Sequence, residues 1–185
     1  MAEILDIYDE NMNKIGTAER EEAHKRGFWH RVVHIWIISQ KDNRKYILFQ
    51  KRSQSKQQQP GMFDISVGGH ISSGEDVLHS ALREMSEEMG IEAESHELTY
   101  IGRNKEKFLD GDCEFADVFV YNLKGSAKAG DEVDCYVSID AKEYFDFMNN
   151  DDESIEALTE ENDIVKIKRN MFCNHHREYE NIVYP

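Results

Sequence analysis

The chain has 185 residues, 39% hydrophobic and 32% charged, and its 37 acidic against 22 basic side chains give a formal charge of −15. This fits one soluble domain with a sizeable core, argues against a nucleic-acid backbone or an anionic membrane as main partner, and leaves an anionic substrate needing divalent cations to bring it in. Cys113, Cys135 and Cys173 form no CxxC or Cys/His zinc pattern, the N-terminus MAEILDIYDEN is unlike a signal peptide, and no apolar run spans a bilayer, so a reduced, cytoplasmic protein is expected.

In chain order, residues 4–8 and 14–18 read as an N-terminal hairpin around a turn at Asp9-Glu10-Asn11 and Asn13. A polar stretch from Arg20 ends at Gly27. Residues 30–38 and 46–52 then form a hairpin of a central sheet, and residues 53–59 with Pro60-Gly61 a loop bordering a site. Residues 63–67 read as a short strand delivering the chain into Gly68-Gly69. Beyond a long helix, residues 98–102, 114–121 and 135–139 read as strands. Asp140 caps a short helix through about Phe147. After an acidic loop at 149–153, Thr159 is expected to cap a last helix, with Glu160, Glu161 and Asp163 in its first turn and Lys166, Lys168 and Arg169 further along, ending at Asn174-His175-His176-Arg177. The sum is one domain over 1–185, α+β, an α/β/α sandwich around a mixed β-sheet, with an N-terminal hairpin over about 1–20 and a helical extension over about 140–176.

The long helix carries the chemistry. From about Glu75 to Met89 there is no Gly or Pro, Val77, Leu78, Ala81, Leu82 and Met85 recur at helical spacing, and Gly90 supplies a left-handed stop. Glu84, Glu87 and Glu88 share one face, where like charges destabilise a bare helix. Either the face is simply solvated, or the carboxylates surround a cation; hard oxygen ligands so placed suit Mg²⁺ or Mn²⁺.

From Gly69 through Glu75 to Arg83-Glu84-Met85-Ser86-Glu87-Glu88-Met89-Gly90-Ile91, the stretch resembles the Nudix box, Gly-x5-Glu-x7-Arg-Glu-apolar-x-Glu-Glu-x-Gly-apolar, at every fixed position. The resemblance implies the Nudix sandwich fold and a metal-dependent hydrolase of diphosphate linkages in nucleoside-diphosphate-type or related substrates. Glu84, Glu87 and Glu88 with the Gly69 carbonyl would hold the metal, Glu84 doubling as base. Arg83 and Glu75 would form the supporting ion pair, or only brace loop against helix. The base could instead be Asp112 or Glu114.

A second likeness is to the Nudix branch that includes isopentenyl-diphosphate isomerase, carried by residues 24–34, Arg52-Ser53 with Lys56, Pro60-Gly61-Met62-Phe63, Ser66-Val67 with Gly69-His70, and Asp112-Cys113-Glu114. It implies a second divalent site from His24, His30, His70, Asp112 and Glu114; otherwise these histidines bond backbone or solvent. The isomerase's catalytic cysteine is replaced by Gly68, and the box is complete, which favours hydrolysis. Arg52 meets a phosphate or pairs with a box acid, Phe63 joins the core or lines a base or ring pocket of the substrate, and His175-His176 closes a helix or forms a ligand pair. A binding module on the same fold is the alternative from another class. Loops 53–62, 104–113 and 125–134 would read the substrate, and a homodimer is plausible from the family likeness.

Overall fold

The structure, a computed structural model, describes residues 2–56, 58–108, 111–175 and 178. His176, Arg177, and parts of the loops around Gln57, Leu109 and Asp110 lie outside these. Strands β1 (Ile4–Tyr8) and β2 (Lys14–Glu19) pair antiparallel. Asp9 closes their turn, its carboxylate accepting the N–H groups of Asn11 and Asn13 at 2.9 Å each. The polar stretch that follows is helix α1 (Arg20–Arg26). It buries Ala23 and stops at Gly27, whose φ of 62° is the left-handed cap glycine accepts without strain.

Strand β3 (Trp29–Lys41) is the spine. It pairs antiparallel with β4 (Arg44–Arg52) and β6 (Val67–His70), parallel with β8 (Cys113–Asn122), and touches β1 at its start. Beyond β8 lies β7 (Leu98–Lys107), and beyond β4 lie β5 (Phe63–Asp64) and β9 (Val133–Asp140). The mixed sheet is covered on both faces. Val33, Ile35 and Ile37 of β3 pack with Ala81, Met85 and Met89 of helix α2 (Val77–Met89), while Val32, Trp36 and Ile38 join Tyr144 and Phe147 of helix α3 (Ala141–Asn149). The period of two along β3 thus sorts residues between two cores, and each fully buried side chain of this size contributes about 1.5–3 kcal/mol.

Two expectations need correction. Residues 63–67 are not one strand: Ser66 interrupts the ladder, its Oγ donating to the Leu48 carbonyl at 2.5 Å and accepting the Ile37 N–H at 2.8 Å. Pairing resumes in β6, so Gly68 and Gly69 lie in a strand. The helix expected after Thr159 is instead a hairpin of β10 (Ser154–Thr159) and β11 (Ile164–Lys168), joined to the sheet through β9. Alternation in Ile164-Val165-Lys166-Ile167 buries Ile167 against Ile155, and the Thr159 hydroxyl accepts from the Asp163 N–H at 3.1 Å to close a turn, so it caps no helix. Of the expected helical extension, α3 and a single 3-10 turn at Arg169–Met171 are helical. No helix among the described residues is long and apolar enough to cross a membrane.

Candidate active site

Helix α2 begins at Asp76, whose carboxylate accepts from the N–H groups of Leu78 and His79, and ends at Gly90 in the left-handed conformation. Its buried stripe contains two glutamates, Glu84 and Glu88, one turn apart and each 9% exposed. Burial lifts both carboxyls, Glu84 to about 7 and Glu88 to about 8. Arg83 works against this at Glu84, its Nη1 donating to Glu84 Oε1 at 2.7 Å and to Glu87 Oε2 at 3.1 Å. The same guanidinium grips Glu75 with Nε and Nη2 at 3.1 and 3.2 Å and donates to the His70 carbonyl at 3.1 Å. Burial opposes the charge on Glu75, but hydrogen bonds from Arg83, Ser80 and His79 hold its carboxyl down near 2. Arg83 and Glu75 therefore brace the segment before α2 against the helix and fix Glu84 in place.

Direct pairing sets the strand side of the site. Gly69 stands opposite Val33, on the α2 face, and Gly68 and His70 stand opposite His34 and Val32, on the other. A Cβ on Gly69 would overlap the Cγ, Cδ and Oε1 atoms of Glu84. Gly69→Ala is accordingly expected to displace Glu84, weakening divalent-metal affinity by about 10–100-fold while circular dichroism stays that of the parent; an unchanged Mn²⁺ titration would remove Glu84 from the metal site.

On the opposite face the structure gathers all five residues of the second set. His24 Nε2 lies 2.9 Å from His70 Nε2, His24 Nδ1 lies 3.7 Å from Asp112 Oδ2, and His30 Nε2 lies 3.9 Å from Glu114 Oε1. The sets His24, His30, His70 and His30, Asp112, Glu114 each offer ligand atoms within 4.8 Å of one another, which the box glutamates do not. His30 donates Nδ1–H to the Phe28 carbonyl at 3.0 Å, which turns Nε2 inward, fully buried and without a hydrogen-bond partner. Burial pushes His70 well below the ordinary imidazole range, helped by its histidine neighbours, and raises Glu114 to about 8. An unpartnered imidazole nitrogen among histidines and crowded acids fits a divalent cation.

One cleft of about 660 Å³ joins the two faces around β6. Glu84, Glu87, Glu88, Gly69, His70, Asp112 and Glu114 line it, together with Arg20, Arg52 and Lys56. Arg52 meets no box acid: Nη1 donates to Asp64 Oδ2 at 2.7 Å, and Nε and Nη2 donate to the Gln58 carbonyl. Phe63 does not line the cleft; it is 9% exposed and packs on Phe172 with ring centroids 5.9 Å apart, because β5 turns it into the α3 core. Nor does His175 close a helix; it sits in the cleft wall beside His34 and Asp64. Sequence reasoning missed Asp64, Glu106, His34 and Glu178, which carry no motif and come from separate segments.

Residues 28–173 match the NUDIX domain family. An uncharacterized Nudix hydrolase of Clostridium acetobutylicum is 39% identical over 155 residues, covering 80% of this chain and 75% of that protein. An isopentenyl-diphosphate Delta-isomerase of Photorhabdus laumondii is 36% identical over 92 residues, half of each chain. The crystal structure of DR0079 from Deinococcus radiodurans superposes with a TM-score of 0.63 at 19% identity, covering 80% of this chain and 89% of that one, a likeness of fold. A sandwich with a complete box on its buried helix is the architecture of a Nudix hydrolase. The chain belongs to the Nudix superfamily and resembles the branch that contains the isomerases.

Proposed function

We infer that this chain is a single-domain, divalent-metal-dependent hydrolase of a diphosphate linkage in a nucleoside-diphosphate-type or related organic diphosphate. The observation that carries the reading is the shared cleft, in which the box carboxylates face Arg20, Arg52 and Lys56. Glu84, Glu87 and Glu88 with the Gly69 carbonyl would hold Mg²⁺ or Mn²⁺, and His24, His30, His70, Asp112 and Glu114 a second dication. Bound dications would neutralise phosphate oxygens and bring the pKa of water towards neutrality. The three cations orient the diphosphate. Glu84, fixed by Arg83, would take a proton from the attacking water.

The gathered histidine set favours a second reading, an isomerase-like enzyme, although Gly68 supplies no thiol to the cleft. Incubating the protein with Mg²⁺ or Mn²⁺ and a panel of nucleotides, nucleotide sugars, dinucleotides and prenyl diphosphates, with products resolved by mass, separates the readings. Cleavage lost on chelation is the expected result. A double-bond shift in a prenyl diphosphate with its diphosphate intact would replace hydrolysis by isomerisation, and saturable binding without turnover would make the chain a binding module.

A further inference from the structure

Beside the cleft lies a set of buried polar groups that neither metal set above uses. His34 comes from β3, Glu106 from β7 and His175 from the segment after β11, and each offers a ligand atom within 4.8 Å of the others. We propose that His34, Glu106 and His175 form a further divalent-metal site of the two-histidine, one-carboxylate type, with an open position towards the cleft.

Four observations support it. His175 Nδ1 lies 3.3 Å from Glu106 Oε2, the separation of adjacent ligands on a tetrahedral zinc ion, about 3.3–3.4 Å for bonds of about 2.0–2.1 Å. Both imidazoles are held from behind by carboxylates. His175 Nε2 is 2.6 Å from Asp64 Oδ1, with Arg52 anchoring Asp64, and His34 Nδ1 is 3.0 Å from Glu178 Oε1, whose second oxygen accepts from Trp36 Nε1 at 2.8 Å. Metal-binding histidines are oriented in this way. His34 therefore keeps Nε2, and His175 keeps Nδ1, for a metal. Third, Glu106 is fully buried and its Oε1 has no hydrogen-bond partner, which a metal bond would satisfy.

The fourth is charge. With both imidazoles neutral, the carboxylates of Asp64, Glu106 and Glu178 against the Arg52 guanidinium leave a deficit that one dication fills. The competing account makes the histidines themselves the counter-ions, for burial opposes their charge but Asp64 and Glu178 raise both above the ordinary imidazole range. The donor set suits Zn²⁺, Co²⁺ or Fe²⁺ better than Mg²⁺. A metal here would tie the segment carrying His175 to β3 and β7, and it shares no ligand with the sites assigned above, so it stands whether or not the hydrolase reading does.

The full chain, stripped by a chelator, is titrated with Zn²⁺ against a chromophoric competitor. Glu106→Gln is expected to lose one equivalent, or at least about 100-fold in its affinity, and His70→Gln to leave that equivalent in place. Imidazole ¹⁵N spectra of the unsubstituted chain supply a reading that needs no variant: on saturation with Zn²⁺, His175 Nδ1 and His34 Nε2 move to metal-bound shifts. Equal stoichiometry and affinity in parent and Glu106→Gln, or His34 and His175 rings unmoved at saturation, would overturn the site and leave the two histidines as counter-ions.

Discussion

Glu88→Gln is expected to make the metal-free protein more stable at pH 8 and to remove most of its activity. In the folded chain this carboxyl titrates near 8, because burial, then Glu84, disfavour its charge; in an unfolded chain it keeps the ordinary glutamate value of 4.5. Between those limits the folded state binds more protons than the unfolded state, so the contribution of Glu88 to stability is present below pH 4.5 and falls as pH rises towards 8. The amide stays neutral and keeps an acceptor. The variant should therefore gain on the order of 3 kcal/mol over the parent at pH 8 and little at pH 5. Turnover with Mg²⁺ should drop by about 10²–10³, the cost of losing one electrostatic element of a transition state. Denaturant melts at both pH values with chelator present, and kcat with metal, check the two halves. A variant as unstable as the parent at pH 8 would mean that the carboxyl is not held near 8, and parental kcat would take Glu88 out of the metal site. Mg²⁺ should also raise the parent's melting temperature more at pH 8 than at pH 5.5, since the ion competes with protons for the same oxygens.

Asp64→Ala should be the most destabilising single change in the cleft wall. In the metal-free chain Asp64, 8% exposed, accepts from Arg52 at 2.7 Å and from a protonated His175 at 2.6 Å, besides accepting the Ile65 N–H at 2.8 Å. Burial opposes its charge, but His175 and then Arg52 hold its carboxyl below the usual carboxylate range. Its stabilising contribution is thus complete above pH 3.8 and fades only in strong acid. Removing it leaves the half-buried Arg52 and, in the metal-free chain, His175 without their shared counter-charge, a loss of up to about 3–5 kcal/mol, the cost of a broken buried pair. Urea midpoints at pH 7 give the value; a change of less than about 1 kcal/mol would place Asp64 among surface-type pairs.

What was legible in the sequence was local. The N-terminal hairpin announces itself by alternation around Asp9, and the box helix by its periodicity, its Gly90 stop and the fixed spacing of its acids. The C-terminal hairpin misled because two patterns overlap there. Acids at Glu160, Glu161 and Asp163 followed by Lys166 and Lys168 suit a helix dipole, yet Ile164, Val165 and Ile167 are β-branched, and packing of Ile167 on Ile155 decided the outcome. The histidine set was reached through a family likeness, since His24, His30, His70 and Glu114 meet only because β3 lies between β6 and β8. Phe63 was misplaced because a short strand has no periodicity from which to read its facing. Asp64, Glu106 and Glu178 left no trace in one dimension, and His175 was noticed only as part of a pair: their meaning is that separated segments bring opposite charges to one dry place.

The register of β3 has a consequence for how such a protein can diversify. His30 and His34 stand on β3 itself, Gly69 and His70 are indexed to it through β6, and Glu114 through β8. One strand is in effect a ruler for both ends of the cleft. An insertion or deletion inside it would throw these groups out of register with one another, so a change in the length of β3 cannot tune one end while sparing the other. The loops between β4 and β5 and between β8 and β9 hang from that ruler without being marked on it. New substrate preferences can therefore be tried there, by length or by composition, while the reactive geometry is inherited unchanged.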